Sequence, residues 1–345
     1  MEKKATIRDV AKYAGVSVAS VSYALNGVEK ITPETKARIL KAIEELNYKP
    51  NMTARCLSNG DSRLIGVTLP ITEAGDVPGV LLDNPFFGEF ISGIEYTIRN
   101  KGYDILLSGV ETNEQYKDWI LQRKLDGIIM LGVYPRSIFD EITNIGVPVV
   151  LTDSYEEYTS GFHRVMIEDE LGAYTAVKHL ISKGHTEIAI ATGNIKNSHI
   201  NRLRYQGYQR ALTEAGLPVR DELFYENFVS LDGGYQIGKK ILSSNAKATA
   251  IFAVADVMAI GFMKAFQEVN KKIPEDFSVV GFDGIKFGQY ITPSLTTIKQ
   301  DSVKKGMEAA KMLLEDLATG KRGNETVILK PELVIGGSVR NYTKE

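Results

Sequence analysis

Hydrophobic positions in the first fifty residues recur at helical spacing between turn residues. From residue 64 onward they gather into short solid runs separated by amphipathic stretches. The opening pattern predicts a short helix over Ile7-Arg8-Asp9-Val10-Ala11-Lys12-Tyr13-Ala14, stopped by Gly15, where a left-handed backbone costs little. A second helix follows over Val18-Ala19-Ser20-Val21-Ser22-Tyr23-Ala24-Leu25, closed by Asn26-Gly27. Thr6 and Ser17 each place a side-chain oxygen where it can accept the first free N–H groups. In a third helix Thr32 caps, Pro33 takes the first turn, and Ala37, Leu40, Ile43 and Leu46 are expected to face inward. Val10, Ala14, Val16, Val21 and Leu25 complete that small core, leaving Val18, Ala19, Ser22 and Tyr23 outward. Two helices joined by a glycine turn, the second outward-facing, suit the major groove of DNA. An ordinary three-helix domain is the plainer reading of the same pattern.

The later runs read as buried strands: Leu64-Ile65-Gly66-Val67-Thr68-Leu69, Tyr103-Asp104-Ile105-Leu106-Leu107, Gly127-Ile128-Ile129-Met130-Leu131, Val147-Pro148-Val149-Val150-Leu151, Ile188-Ala189-Ile190-Ala191, Ala250-Ile251-Phe252-Ala253 and Val279-Val280-Gly281-Phe282. Segments such as 90–101 and 172–183 between them have helical spacing. This alternation implies an α/β body of parallel sheets covered by helices. Its length exceeds what one such core fills, so two lobes are expected. The segment 51–60 has a cap candidate at Asn51 and a stop at Asn59-Gly60. It amounts to about two turns of helix, too short to be stable alone in water.

Composition narrows the chemistry. Residues 1–60 hold ten Lys/Arg against six Asp/Glu while the whole chain is at −2, so a basic end sits on an acidic body, as phosphate attraction favours. Cys56 is the only cysteine, which excludes a disulfide framework and a cysteine-based metal site. The four histidines (His163, His179, His185 and His199) show no paired metal spacing, and neither a phosphate-cradling glycine loop nor a nucleophile elbow is present. The chain is therefore not expected to be an enzyme or to carry a cofactor. Met1-Glu2-Lys3-Lys4 is polar and precedes a helix rather than an apolar signal core, and no run reaches membrane-spanning length. A cytoplasmic location is expected.

Residues 5–57 resemble the headpiece of the lactose-repressor/galactose-repressor (LacI/GalR) family of bacterial transcription regulators. The runs that carry the resemblance are Thr6-Ile7-Arg8-Asp9-Val10-Ala11, Ala14-Gly15-Val16-Ser17, Val21-Ser22, Ala24-Leu25-Asn26-Gly27 and Glu45-Leu46-Asn47-Tyr48-Lys49-Pro50-Asn51. The resemblance implies that Val18, Ala19 and Tyr23 touch base edges, with Ser17, Ser22 and Asn26 toward phosphates and Thr6 a further DNA-binding candidate. Many members have arginine where this chain has Tyr23, so a different operator sequence is expected. It further implies that Leu57 is a minor-groove wedge, with Asn51 and Arg55 as its DNA-contacting neighbours. A simple linker is the alternative for this hinge.

The resemblance continues to about residue 340 through Asn84-Pro85-Phe86-Phe87, Asp126-Gly127-Ile128-Ile129, Gly184-His185, Gly207-Tyr208, Val279-Val280-Gly281-Phe282-Asp283 and Leu295-Thr296-Thr297-Ile298-Lys299-Gln300. It implies a two-lobed type I periplasmic-binding-protein-like body. The expected organisation is a headpiece at 1–50, a hinge helix at 51–60 and a body at 61–340. Its first lobe would cover about 61–162 and 293–323, its second about 163–292 and 324–340, with crossings near Arg164, Pro293 and Gly323. The acidic, proline-containing stretch 73–83 is longer than the family norm and has no assigned role.

Asp153 and Asp283 close strands, and Asp256 follows one, at the carboxyl ends where open α/β sheets bind ligands. The resemblance adds Phe86 and Phe87 as stacking residues and Arg204 as a clamp for hydroxyls or a carboxylate. Core packing for the two phenylalanines, and an Arg204–Asp283 pair, are the alternatives. Ala255 and Gly284 stand where sugar-binding members carry hydrogen-bonding side chains. The expected protein is a homodimeric repressor on a palindromic operator, without a tetramer-forming tail, switched by a sugar-like effector. A purine-like ligand or a phosphorylated partner protein remains open as controller, as does a solute-binding body with a vestigial headpiece.

Overall fold

The computed structural model describes residues 5–26, 28–48, 62–69, 84–109, 113–132, 134, 136–244 and 247–343. The chain divides into two compact units, Met1–Arg63 and Leu64–Glu345. The 51–60 segment, with Asn51, Arg55, Cys56 and Leu57, and the 73–83 stretch lie outside the described residues.

In the first unit three helices, Ile7–Ala14, Val18–Asn26 and Pro33–Glu45, follow the caps read from the sequence. Thr6 Oγ1 accepts the Asp9 N–H at 3.4 Å while Asp9 Oδ2 accepts the Thr6 N–H at 2.8 Å, a reciprocal capping box. Gly15 ends the first helix at φ 64°, the left-handed geometry that makes the turn tight. Val10, Val21 and Ile39 are fully buried at the centre. The third helix is rotated from the expected register: Ile39, Ala42, Ile43 and Leu46 pack inward, whereas Ala37 is exposed and Leu40 is 49% exposed. A spacing of three at every step drifts around a helix of about 3.6 residues per turn, while the i, i+3, i+4, i+7 stripe stays on one face.

The described residues of the second unit form two six-stranded sheets. The strands are β1 Leu64–Leu69, β2 Asp104–Gly109, β3 Gly127–Leu131, β4 Val149–Thr152, β5 His163–Ile167, β6 Ile188–Thr192, β7 Phe224–Glu226, β8 Ala250–Ala253, β9 Ser278–Asp283, β10 Thr296–Lys299, β11 Thr326–Leu329 and β12 Glu332–Val334. The first sheet runs β11-β5-β4-β3-β1-β2, all parallel; the second runs β12-β10-β9-β8-β6-β7, parallel except for β10–β12. Strands such as β3, β4, β6 and β8 are buried along their whole length, which is why they read as solid apolar runs.

Three expected crossing points are corrected by the strand pairing. β5 pairs with β4, so 163–167 belongs to the first lobe; β10 pairs with β9, so 296–299 stays in the second; β11 pairs with β5 and returns to the first. The chain therefore crosses near Glu168, at Gln300-Asp301 and at Lys330-Pro331. Inter-strand hydrogen bonds decide membership, and a single sequence does not display them. The helix Ser302–Thr319 packs on Pro85–Arg99 and on β3, β4 and β5, in the first lobe. These two helices meet through glycines: a Cβ on Gly306 would lie 2.2 Å from the Phe90 carbonyl oxygen, and one on Gly93 2.1 Å from that of Val303.

His185 pins the second lobe to its C-terminal segment. Its ring nitrogens lie 2.9 Å from Thr249 Oγ1 and 2.9 Å from Ser278 Oγ, and its face stacks on Tyr342. Burial pulls its pKa down from 6.5 to about 4.

Two stability predictions follow from these contacts. Gly306→Val should cost ~3 kcal/mol in denaturant unfolding, because the clash is with backbone and the two helices must part. As pH falls from 6.5 toward 4, the unfolded chain takes up a proton that folded His185 refuses, so up to about 3 kcal/mol is lost through this group. Unfolding of wild type and His185→Asn at pH 7 and pH 4.5 should show the smaller acid loss in the variant.

Candidate functional site

The outward face of the helix Val18–Asn26 is assembled by the capping chemistry before it. Ser17 Oγ accepts the Ser20 N–H at 3.1 Å, which starts the helix and turns Val21 and Ala24 into the core. Val18 and Ala19 are left exposed, with Ser22 and Tyr23 half-buried beside them. Tyr23 lies under the Lys30 ammonium, 5.6 Å from its ring centroid. Ser17, Val18, Ala19, Ser22 and Tyr23 thus lie on one helix and its cap, Asn26 closes that helix, and Thr6 caps the helix before it. The short apolar side chains at 18 and 19 suit contact with thymine methyl groups, and the Tyr23 hydroxyl offers a single polar contact.

The second candidate site lies between the lobes of the body. Asn84 Oδ1 accepts the Phe86 N–H at 3.1 Å and Pro85 takes the first turn, so Phe86 and Phe87 open their helix at the lobe junction. Phe86 is only 7% exposed and packs edge-on against the half-buried Phe87. Asp153 and Asp283 both sit at the carboxyl ends of their strands with positive φ, 57° and 121°. Non-glycine residues rarely adopt this geometry, and such strain gathers at functional sites.

The cluster they join is ionic and buried. Ser198 caps the helix His199–Glu214 and sets Arg204 in its second turn. The Arg204 Nε donates to Asp169 Oδ1 at 2.7 Å, its Nη1 donates to the Val254 carbonyl at 2.5 Å and lies 3.6 Å from Asp283 Oδ1, and its plane covers the Phe282 ring at 3.7 Å. Lys305, from the first lobe, donates to Asp153 Oδ1 and to Gln300 Oε1, each at 2.7 Å. Gln300 Nε2 donates in turn to Asp283 Oδ1 at 2.6 Å. Tyr155 donates to Asp169 and to the Ile167 carbonyl. At the rim, Glu89 of the first lobe accepts the Lys286 N–H of the second at 3.0 Å and the Ser302 hydroxyl at 2.7 Å, and Tyr155 stacks on His199.

Burial raises the pKa of Asp153, an effect partly offset by Lys305. It pushes Asp283 up to about 6 against the opposing pull of Arg204 and Gln300. For Arg204 burial acts downward, but the carboxylates of Asp169 and Asp283 outweigh it and raise its pKa. Asp256 lies beside Asp283, yet its oxygens are taken by the Thr297 hydroxyl at 2.5 Å and the Ile285 N–H at 2.8 Å, and burial holds its pKa well up. It fixes the loop after β9 rather than facing the other lobe.

The structure therefore brings Phe86, Asp153, Arg204 and Asp283 together. The Arg204–Asp283 approach is present, but the shorter partner of Arg204 is Asp169. Asp169, Tyr155, Gln300 and Lys305 were not among the residues expected from sequence. Lys305 had a usable signal: it falls on the inward stripe of its helix with Gly306, Ala309, Leu313 and Asp316, where a cation needs a partner. Among the described residues no group of His, Cys, Asp and Glu is arranged to hold a metal ion, and no helix is long and apolar enough to cross a membrane.

Comparison with known proteins matches both units. The profile of bacterial regulatory proteins of the lacI family matches residues 6–51, and that of the periplasmic binding protein-like domain matches residues 177–339. The HTH-type transcriptional repressor PurR of Pasteurella multocida is 33% identical, over 98% of this chain and 99% of its own. The lac repressor dimer bound to operator and the anti-inducer ONPF superposes with a TM-score of 0.82 at 27% identity, covering 98% of this chain and 100% of that one. A LacI-family regulator from Enterococcus faecium with bound ribose gives 0.71 at 28% identity, covering 81% and 100%. This chain belongs to the lacI family of bacterial DNA-binding transcription regulators, not to the enzymes.

Proposed function

We propose that the protein is a cytoplasmic homodimeric repressor that holds a palindromic operator through two headpieces and senses a sugar-like effector in the cleft. The observation that carries the effector reading is Asp153 and Asp283 at their strand ends with the helix-borne Arg204 3.6 Å from Asp283, and the half-buried Phe87 at the start of its helix. Carboxylates accept from vicinal hydroxyls and a facing guanidinium donates to them, and an aromatic face packs against the C–H side of a sugar ring. The ribose-bound relative supports this class. The PurR relatives favour a purine-like ligand as the second reading.

A second copy has a surface to meet. Leu231, Tyr235, Ile260, Met263 and Ile291 line an apolar groove of about 660 Å³ on the second lobe. Burying it in a dimer sets two headpieces at a fixed spacing, which a palindrome requires. The hinge residues Asn51, Arg55 and Leu57 supply the second DNA contact in this reading, with Leu57 as the wedge. Effector binding changes lobe geometry, and a coupling of about 1–3 kcal/mol between cleft and headpieces is enough to switch occupancy.

Operator affinity should fall steeply and linearly in log–log form with salt, and Leu57→Ala should weaken it at least about tenfold while leaving cleft ligands unaffected. Equal operator affinity for the variant would remove the wedge role. A thermal-shift panel of sugars, sugar phosphates and purines tests the cleft, since ligand at a hundred times its Kd adds about 2.7 kcal/mol. A purine hit replaces the sugar reading, and silence across the panel transfers control to a partner protein.

A further inference from the structure

The cleft already contains a cation of its own. Lys305 is fully buried although it rises from the first turns of Ser302–Thr319 at the lobe junction. Its root cannot move away, because Gly306 and Gly93 hold that helix against Pro85–Arg99 at backbone contact. Its ammonium has three N–H groups and meets three kinds of partner: the Asp153 carboxylate, the Gln300 carbonyl and the face of Phe86, whose centroid is 5.5 Å away. A carboxylate, an amide oxygen and an aromatic face together form a binding site for a primary ammonium. Gln300 then fixes the orientation of the whole relay. Its oxygen must face the lysine, which only donates, so its N–H group is committed to Asp283 on the second lobe.

We propose that Lys305 is a tethered ligand of this cleft: its ammonium fills an ammonium subsite of the first lobe and, by fixing Gln300 on Asp283, links that lobe to the second without an external molecule. By covering Phe86 it also removes that ring as a stacking platform. Lys305 is thereby the residue that limits effector size and position. That last consequence rests on the cleft being the effector site; the tethered-ligand assignment does not, and its test needs no effector.

Lys305→Ala removes the atoms of n-propylammonium and leaves the subsite open. The purified full-length variant should melt below wild type, and millimolar n-propylammonium chloride should raise its Tm by ~3 °C or more. Equal sodium chloride or n-propanol should not, and wild type should not respond. Equal movement of both proteins, or of neither, overturns the proposal. If the alanine variant does not fold, Lys305→Met keeps the volume without the charge. Small-angle scattering should then show a larger radius of gyration than wild type, and an unchanged radius overturns the proposal. A silent effector panel leaves all of these readings in force.

Discussion

Carboxylates that cannot reach water must find cations, and the lobe interface is organised around that requirement. Asp153, Asp169 and Asp283 are buried just at or beyond the ends of their strands, and each is met by Arg204 or Lys305 or by a donor held between them. Isolated, each charge would cost several kcal/mol of lost solvation; paired and hydrogen-bonded, the set is tolerable and strongly directional. Burial raises the pKa of Asp153 and of Asp283 against the opposing pull of their cationic partners. Such a cluster is costly as structural material but sensitive to any polar molecule or shift of lobe position.

The fold supplies the geometry that makes this cluster possible. Because the chain crosses between lobes three times, Gln300 and Asp301 lie on a connection rather than on either sheet, and Gln300 can reach both sides. The helix that follows is seated by glycine contact, so the reach of Lys305 is set by backbone packing rather than by a loop. Glu89 with Lys286 and Tyr155 with His199 close the rim on either side of the same interface. Relative movement of the lobes must break or re-form these contacts together, which suits a two-state element better than a graded one.

The headpiece follows a different logic. Its helices are short, and among the described residues a small core centred on Val10, Val21 and Ile39 stabilises them together with their caps. That economy leaves one face of the second helix with small and aromatic side chains outward. Val18, Ala19 and Tyr23 have little donor–acceptor capacity, a face better suited to methyl contacts than to bidentate hydrogen bonds.

The sequence by itself determined the order of elements, the caps at Thr6, Ser17 and Thr32, the division into an all-α headpiece and an α/β body, and the place of Asp153, Arg204 and Asp283 at a junction. These follow from periodicity, cap chemistry and the carboxyl-end rule for parallel strands, all of which are local, except that Arg204 came from the family resemblance. The motif runs of the headpiece made its DNA-binding role legible as well. What only the tertiary structure decided is pairing. Sheet membership of β5, β10 and β11, the partner of Arg204, the inward turn of Asp256 and the burial of Lys305 each depend on residues far apart in the chain. Lys305 and Asp153 are separated by 152 positions, and nothing local marks either as the counter-charge of the other. Periodicity reports which face of an element is buried; only the packed fold determines what that face meets.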